Sequence, residues 1–386
     1  MKIDTLTRTI IKEYHSANRI YSFFIINITG IYYYPKEFTS IRHIKGLYNN
    51  PYLLGAENLD YSFRPLLLTN TVYCVSIQGV LLQNMNQRKA KLSELCNLIG
   101  VSFIGDDVEI NGLNLCNRET TFESILGYTT NANFFDAILS NKAVKALVLS
   151  KELLQQFHHL ADSASRSFSY IVSSQPEYLF YDAHNLLWNK TDFYDHYQQE
   201  TVIGTNCDIH PSVVIEKGVK IGNNVQIGPN SVVRHGSVID DNVYIGCCSV
   251  IGSEGFQGIK GYPRMIKHVG GTHLCHDAYI GDNTTIGNAL FEGETVVGPY
   301  SKVDNHVHFA HNCRCGENCF ITACSLLMGS TILDNNVWLA PNAVTLNGVH
   351  VHNDGFVGAV SFANKDVLEG EIVAGIPAKV LRKLVK

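Results

Sequence analysis

Between Ile203 and Val357 an aliphatic or small residue returns every sixth position: Ile203, Ile209, Ile215, Ile221, Ile227, Val233, Ile239, Ile245 and Ile251, then Val297, Val303, Phe309, Cys315, Ile321, Leu327, Leu333 and Leu339. Six fits neither a helical period of roughly 3.6 nor the two-residue alternation of a strand, so each hexad is one short strand and a turn. Gly, Asn or Asp follows many of these residues, as in Ile221-Gly222-Asn223-Asn224, and supplies the compact, sometimes left-handed backbone that a corner needs. Three hexads close one triangular coil. The pattern predicts a mainly β chain whose body, 203–370, is a left-handed parallel β-helix.

The period breaks twice. The first break separates Ile251 from Ile280, an inserted loop over 252–279 that holds Gly252-Ser253-Glu254-Gly255-Phe256, Lys260, Tyr262, Arg264 and Lys267. Long insertions in a solenoid emerge on one side and commonly build its binding site, and a basic, aromatic loop suits a phosphorylated or nucleotide-bearing ligand. The second lies between Ile286 and Val297, eleven apart where twelve is expected, so one coil is deformed at Asn288-Ala289-Leu290-Phe291-Glu292-Gly293-Glu294 and should face a neighbouring subunit. Asp304-Asn305-His306-Val307-His308-Phe309-Ala310-His311-Asn312 follows, with three histidines beside that coil.

Upstream, the pattern changes to alternating helices and strands over 85–185: Leu92, Leu95, Leu98 and Ile99 form one helical face, Phe134 to Leu139 a second helix, and Ala143 to Leu149 a strand entering a helix at Ser150. This predicts a small α/β domain. A polar linker, 186–202, leads into the first coil, and a tail, 371–386, follows the last. Residues 1–84 show no sustained period and form an N-terminal extension of unassigned fold. Met85 precedes a polar, helix-forming start, so the working protein either begins there or carries an accessory domain before it.

At 386 residues, 45% hydrophobic and 17% charged, the composition is that of a globular protein with room for two or three domains. A net charge of −5 without any basic run excludes an obvious nucleic-acid or anionic-membrane partner and points to a small-molecule substrate. Eleven cysteines at irregular spacings predict reduced thiols and a cytoplasmic location. Cys313, Cys315, Cys319 and Cys324 lack paired zinc-site spacing, so packing rather than a metal is expected of them. The apolar stretch from Ile20 to Tyr34 is broken by Ser22, Asn27, Thr29 and Gly30, and falls short of the roughly 20 residues a membrane helix needs.

Over about residues 91 to 375 these features resemble the hexapeptide acyltransferases, and among them the UDP-3-O-acylglucosamine N-acyltransferase family of lipid A synthesis. Tyr128-Thr129-Thr130-Asn131-Ala132-Asn133-Phe134 resembles that family's uracil-binding motif, in which two aromatics and an Asn hold the base, and Gly252-Ser253-Glu254-Gly255-Phe256 resembles its loop motif. Asp304-Asn305 with Phe309-Ala310-His311-Asn312 resembles the segment carrying its catalytic histidine, which implies His311 as general base. Met328-Gly329-Ser330-Thr331 matches the turn whose glycine N–H is the oxyanion donor, which implies Gly329. The resemblance further implies substrate contacts by Tyr128, Asn131, Phe134, Glu254, Phe256, Glu292, Asp304, Asn305 and His308, a nucleotide-sugar-binding role for the α/β domain, and a homotrimer with its sites between neighbouring β-helices.

Three features depart from the family. Asn347-Gly348-Val349 stands where it has a second histidine after Asn-Gly, Gly287-Asn288-Ala289 replaces its Asp-Arg-Gly, and Gly375-Ile376-Pro377-Ala378-Lys379-Val380-Leu381-Arg382 resembles the ending of coenzyme A-dependent sugar acetyltransferases. That ending implies acyl-donor contacts by Lys379 and Arg382 beside Gly329. The resulting expectation is an N-acyltransferase moving an acyl group from a thioester, coenzyme A rather than acyl carrier protein, to a nucleotide-linked amino sugar of surface polysaccharide or lipopolysaccharide. The lipid A enzyme with its carrier-protein donor is the alternative, and no resident cofactor is required. Asp304, Glu292 and Glu294 are each open as the carboxylate that assists His311. Two readings from other classes are a zinc enzyme like the γ-class carbonic anhydrases, holding zinc by His276, His306 and His311 across a subunit interface, and a non-catalytic interaction platform.

Overall fold

A computed structural model describes residues 89–118 and 120–384, so the extension over 1–84 and the proposed start at Met85 lie outside the described residues. The α/β part is a four-stranded parallel sheet, Gly112–Leu113, Ile125–Tyr128, Val144–Leu149 and Ser169–Val172 in spatial order. Helices Leu92–Ile99, Phe135–Ser140, Lys151–Ser163 and Pro176–Lys190 accompany it. Ser150 caps the third helix by accepting the Leu153 N–H at 3.2 Å, satisfying one of the donors a helix start leaves unpaired. The fourth helix continues to Lys190 because Leu187 is buried in the same core as Phe180 and Tyr181, so the linker expected from residue 186 begins one turn later.

From Val202 onward, two-residue strands stack into three parallel sheets. The first face runs from Val202–Ile203 to His350–Val351, the second from Asp208–Ile209 to the terminal hairpin, and the third from Val214–Ile215 to Phe362–Ala363. Ile203, Ile221 and Ile239 are register partners one coil apart, and the inward aliphatics form one continuous buried core. This is the left-handed β-helix read from the sequence. Asn206, Asn224 and Asn242 occupy the left-handed region at successive turns of one corner, and their side chains hydrogen-bond upward, Asn224 to Asn242 at 3.0 Å and Asn242 to Asp277 at 3.2 Å. The tail anticipated at 371–386 is an antiparallel hairpin of Glu371–Gly375 and Ala378–Lys383.

Both interruptions differ in detail from the reading above. Leu274 pairs with Ile239 and restores the inward position on the first face, so the insertion is narrowed by the strands Val250–Ser253 and Gly271–Leu274 to residues 254–270. Ile286 on the third face is followed directly by Val297 on the first, so the eleven-residue interval spans one corner where six residues are usual, and the coil gains residues rather than losing one.

Part of the second insertion is anchored within the chain. Leu290 and Phe291 are buried against the helix Pro176–Lys190, where Phe291 lies 5.6 Å from Phe180 and stacks on Tyr181 at 5.9 Å. Burying one such ring is worth about 2 kcal/mol. The first insertion docks on the same helix: Tyr262 Oη donates to Asp182 at 2.9 Å, Asn185 Nδ2 donates to the Met265 carbonyl at 3.0 Å, and its Oδ1 accepts the Lys267 N–H at 3.0 Å. One helix therefore fastens the α/β domain to both irregular stretches of the solenoid.

Candidate active site

The corner between the third and first faces carries, in successive coils, Arg234, the insertion 254–270, the insertion 288–293, His311, Gly329 and Asn347. His311 follows the strand His308–Phe309, and Asn312 after it is in the left-handed region, φ 59°, which Asn tolerates better than most residues. Asn312 Oδ1 accepts the Leu290 N–H at 2.9 Å, which fixes the amide orientation. The same oxygen is 3.2 Å from His311 Nδ1, so Nδ1 carries the proton and Nε2 presents a lone pair. Burial holds the His311 pKa below the usual imidazole range, against the raising effect of Asn312, so the ring is a neutral base at pH 7. Gly329 lies against it. A Cβ on Gly329 would stand 2.6 Å from Nε2 and Cε1 of His311 and 3.0 Å from Asn347 Oδ1, so only glycine allows this approach.

Two groups that no motif singled out complete the corner. His268, inside the first insertion, is fully buried with its ring centroid 5.1 Å from that of His311. Its Nε2 has no hydrogen-bond partner, and burial, reinforced by His311, lowers its pKa to about 4. Gly255 covers this ring so closely that a Cβ there would overlap Nε2. Arg118, from the α/β domain, places its charge near Tyr128 and Tyr181 and also near His311, bridging the two halves of the site. Neither residue follows a recurring spacing, so nothing in the sequence marks them.

The structure divides the remaining expected residues. Glu254 pairs with Lys267 and lies 3.9 Å from both Arg234 and His268 Nδ1, so it belongs to this corner. Phe256 projects into solvent at 87% exposure. None of the three carboxylates proposed to assist His311 touches it. Glu292 is held by Asn114 Nδ2 at 2.6 Å and by the Thr121 hydroxyl at 2.7 Å, tying the insertion to the α/β domain. Glu294 lies 3.4 Å from His273. Asp304 accepts the N–H groups of Asn305 and Ala323 at the corner between the second and third faces, one strand away from His311. Asn305 Oδ1 accepts the Asp282 N–H at that same corner, and His308 is exposed on the strand that leads to His311.

In the α/β domain, Tyr128 packs 4.8 Å from Phe180 and its hydroxyl donates to Glu177 at 3.2 Å. Asn131 caps the 3₁₀ turn Ala132–Phe134 by accepting the Asn133 N–H at 2.9 Å, and Phe134 is 41% exposed. Lys379 and Arg382 lie exposed on the terminal hairpin, which pairs with Phe356–Val357 and so sits beyond Gly329 rather than beside it. His276, His306 and His311 do not converge within the chain; among the described residues the groups that do are Asp240 with His273 and Cys275, and Asp334 with His350 and His352. The described cysteines are free thiols, and no described helix is long and apolar enough to cross a membrane.

Residues 218–253 match the model of the bacterial transferase hexapeptide family, six repeats. The UDP-3-O-acylglucosamine N-acyltransferase of Campylobacter lari is 33% identical over 317 residues, covering 77% of this chain and 95% of that protein. The enzyme of the same name from a Caulobacter species is 33% identical over 138 residues, 35% of this chain and 40% of its own length. Among solved structures, the UDP-N-acetylglucosamine acyltransferase of Bacteroides fragilis aligns at 24% identity and a TM-score of 0.41, over 48% of this chain and 71% of that one. The extent of the Campylobacter match, together with the hexapeptide repeat, identifies the chain as an acyltransferase belonging to the UDP-3-O-acylglucosamine N-acyltransferase family.

Proposed function

We propose that the chain transfers a hydroxyacyl group from an acyl-carrier-protein thioester to the 2-amine of a UDP-linked 3-O-acylglucosamine, as in lipid A synthesis. The carrying observation is the neutral His311, its Nε2 facing Gly329, in a protein alignable over 95% of the Campylobacter relative. That relative's name favours this substrate over the different amino sugar and coenzyme A donor expected from Asn347-Gly348-Val349 and the C-terminal motif. As the amine nitrogen bonds to the thioester carbon, the carbonyl electron pair moves to oxygen and His311 Nε2 takes the amine proton. The Gly329 N–H donates to the oxyanion. Collapse re-forms the carbonyl, breaks the C–S bond, and returns the proton from the imidazolium to the leaving thiolate.

Tyr128, Asn131 and Phe134 hold the base in this proposal, and Arg118 offers a charge for the diphosphate between the base and His311. Three copies assemble around sites that lie between neighbouring β-helices. The test is thiol release by wild type and His311→Ala with acyl-carrier-protein and acyl-coenzyme A donors against acylated UDP-glucosamine and other nucleotide-linked amino sugars. Turnover with hydroxyacyl carrier protein and acylated UDP-glucosamine, reduced about 10²–10⁴-fold in the variant, supports the proposal. Turnover only with acyl-coenzyme A, or only with another sugar, overturns it.

A further inference from the structure

At the corner between the first and second faces, far along the solenoid, Asp334, His350 and His352 turn their polar atoms toward one point. Asp334 follows the strand Ile332–Leu333 and donates its N–H to the Val351 carbonyl at 2.8 Å, which sets it opposite His352 in the next coil. His350 Nε2 is 2.8 Å from Oδ1 and His352 Nδ1 is 3.2 Å from Oδ2, while the ring centroids are 3.9 Å apart. We propose that these three side chains form a binding site for one first-row divalent cation, with zinc the best match.

The geometry and the donor set both support this. One donor atom from each residue lies within 4.8 Å of the other two, near enough for small shifts to reach the separation of about 3.3 Å between neighbouring donors in a tetrahedral site with bonds of about 2.0–2.1 Å. Two imidazoles and a carboxylate suit zinc and its neighbours rather than calcium or magnesium, which take oxygen donors. A dication would be bound by all three donors at one centre. The side chains are 30–36% exposed, which leaves an open entry path and room for water as a fourth ligand.

The second cluster of ligand-type residues is a useful contrast. Asp240, His273 and Cys275 occupy the same corner nearer the start of the solenoid. There both nitrogens of His273 are taken, Nε2 by Asp240 at 3.0 Å and Nδ1 by Glu294 at 3.4 Å, so the imidazolium is satisfied by two carboxylates without a cation. At Asp334 one carboxylate serves two rings. The bound cation would clamp His350–Val351 to the coil beneath it, near the C-terminal end of the stack.

The experiment uses the full chain, stripped with a chelator and titrated with Zn²⁺ in competition with a chromophoric chelator, with thermal unfolding followed in parallel. One tightly held equivalent and a raised Tm are expected. His352→Gln and Asp334→Asn should each weaken binding by about 100-fold or more and abolish the zinc-dependent Tm rise, leaving the zinc-free Tm near that of the wild type. Cys275→Ser should change neither. Failure of the wild type to hold zinc, retention of zinc by a His350→Gln/His352→Gln double variant, or loss of zinc from Cys275→Ser alone overturns the proposal.

Discussion

The imidazole of His268 meets that of His311 edge to face, with 5.1 Å between centroids and 63° between planes. His268 is buried beside His311, whose own burial depresses its pKa. The acid limb of kcat/KM in the wild type is therefore expected below the ordinary imidazole value of about 6.5. In His268→Ala, water enters and the limb should move upward toward that value. A pH–rate profile checks both statements, and an unmoved limb would show that burial by His268 does not set it.

Gly329→Ala places a methyl group 2.6 Å from the His311 ring, so the imidazole must swing away from the reacting amine. The N–H of residue 329 is retained, so a fall in kcat of up to about 10²–10⁴-fold is expected, the range typical of a general base moved out of place, with thermal stability little changed. Steady-state kinetics beside a melting curve separates this from simple unfolding.

Arg118→Ala removes the charge that faces Tyr128, Tyr181 and His311. Its signature should be a raised KM for the nucleotide sugar, with the KM for the acyl donor unaffected. Asn131→Ala should also raise the nucleotide-sugar KM, and because its side chain caps a turn it should cost about 1 kcal/mol of stability as well. Equal effects on both substrates in Arg118→Ala would refute the diphosphate role.

His184 and His268 are both buried, with pKa values lowered from 6.5 to about 4. Each is neutral in the fold, so as pH falls below about 6.5 the unfolded chain takes up protons first. The stability present above that pH is lost progressively down to about 4, on the order of 3 kcal/mol per ring at most. Urea unfolding at pH 7 and pH 5 measures the drop, and His268→Gln should show a shallower one.

Glu292→Ala severs the hydrogen bonds to Asn114 and Thr121 that tie the second insertion to the α/β domain. Bonds to a charged acceptor are worth about 1.5–3 kcal/mol, and a loss of that size is expected in denaturant unfolding. The β-helix core, which Glu292 does not enter, should retain its own transition.

The solenoid was legible because one inward side chain per hexad fills its core, from Ile221 through Val357, and nothing else in a chain has that period. His311 and Gly329 were legible through the short segments around them. The interval from Ile286 to Val297 was miscounted because an insertion erases the phase, and only strand pairing shows that a single corner separates those residues. Asp304 seemed close to His311 in sequence, yet the strand His308–Phe309 carries the chain to another corner between them. His268 was invisible for the opposite reason: it is far from His311 in sequence, in a stretch without a period, and meets it only when the loop folds back onto Pro176–Lys190.

The stacked asparagines at the Asn206 corner hold the edge between the first and second faces to a fixed residue count, since a length change there would interrupt the upward hydrogen bonds between side chains. The edge between the third and first faces carries no such asparagine ladder among the described residues, and both insertions occur there. A mutation that lengthens the chain is thus better tolerated along that edge than along the asparagine ladder. Novelty in this fold accumulates as a seam, and His311 sits on it.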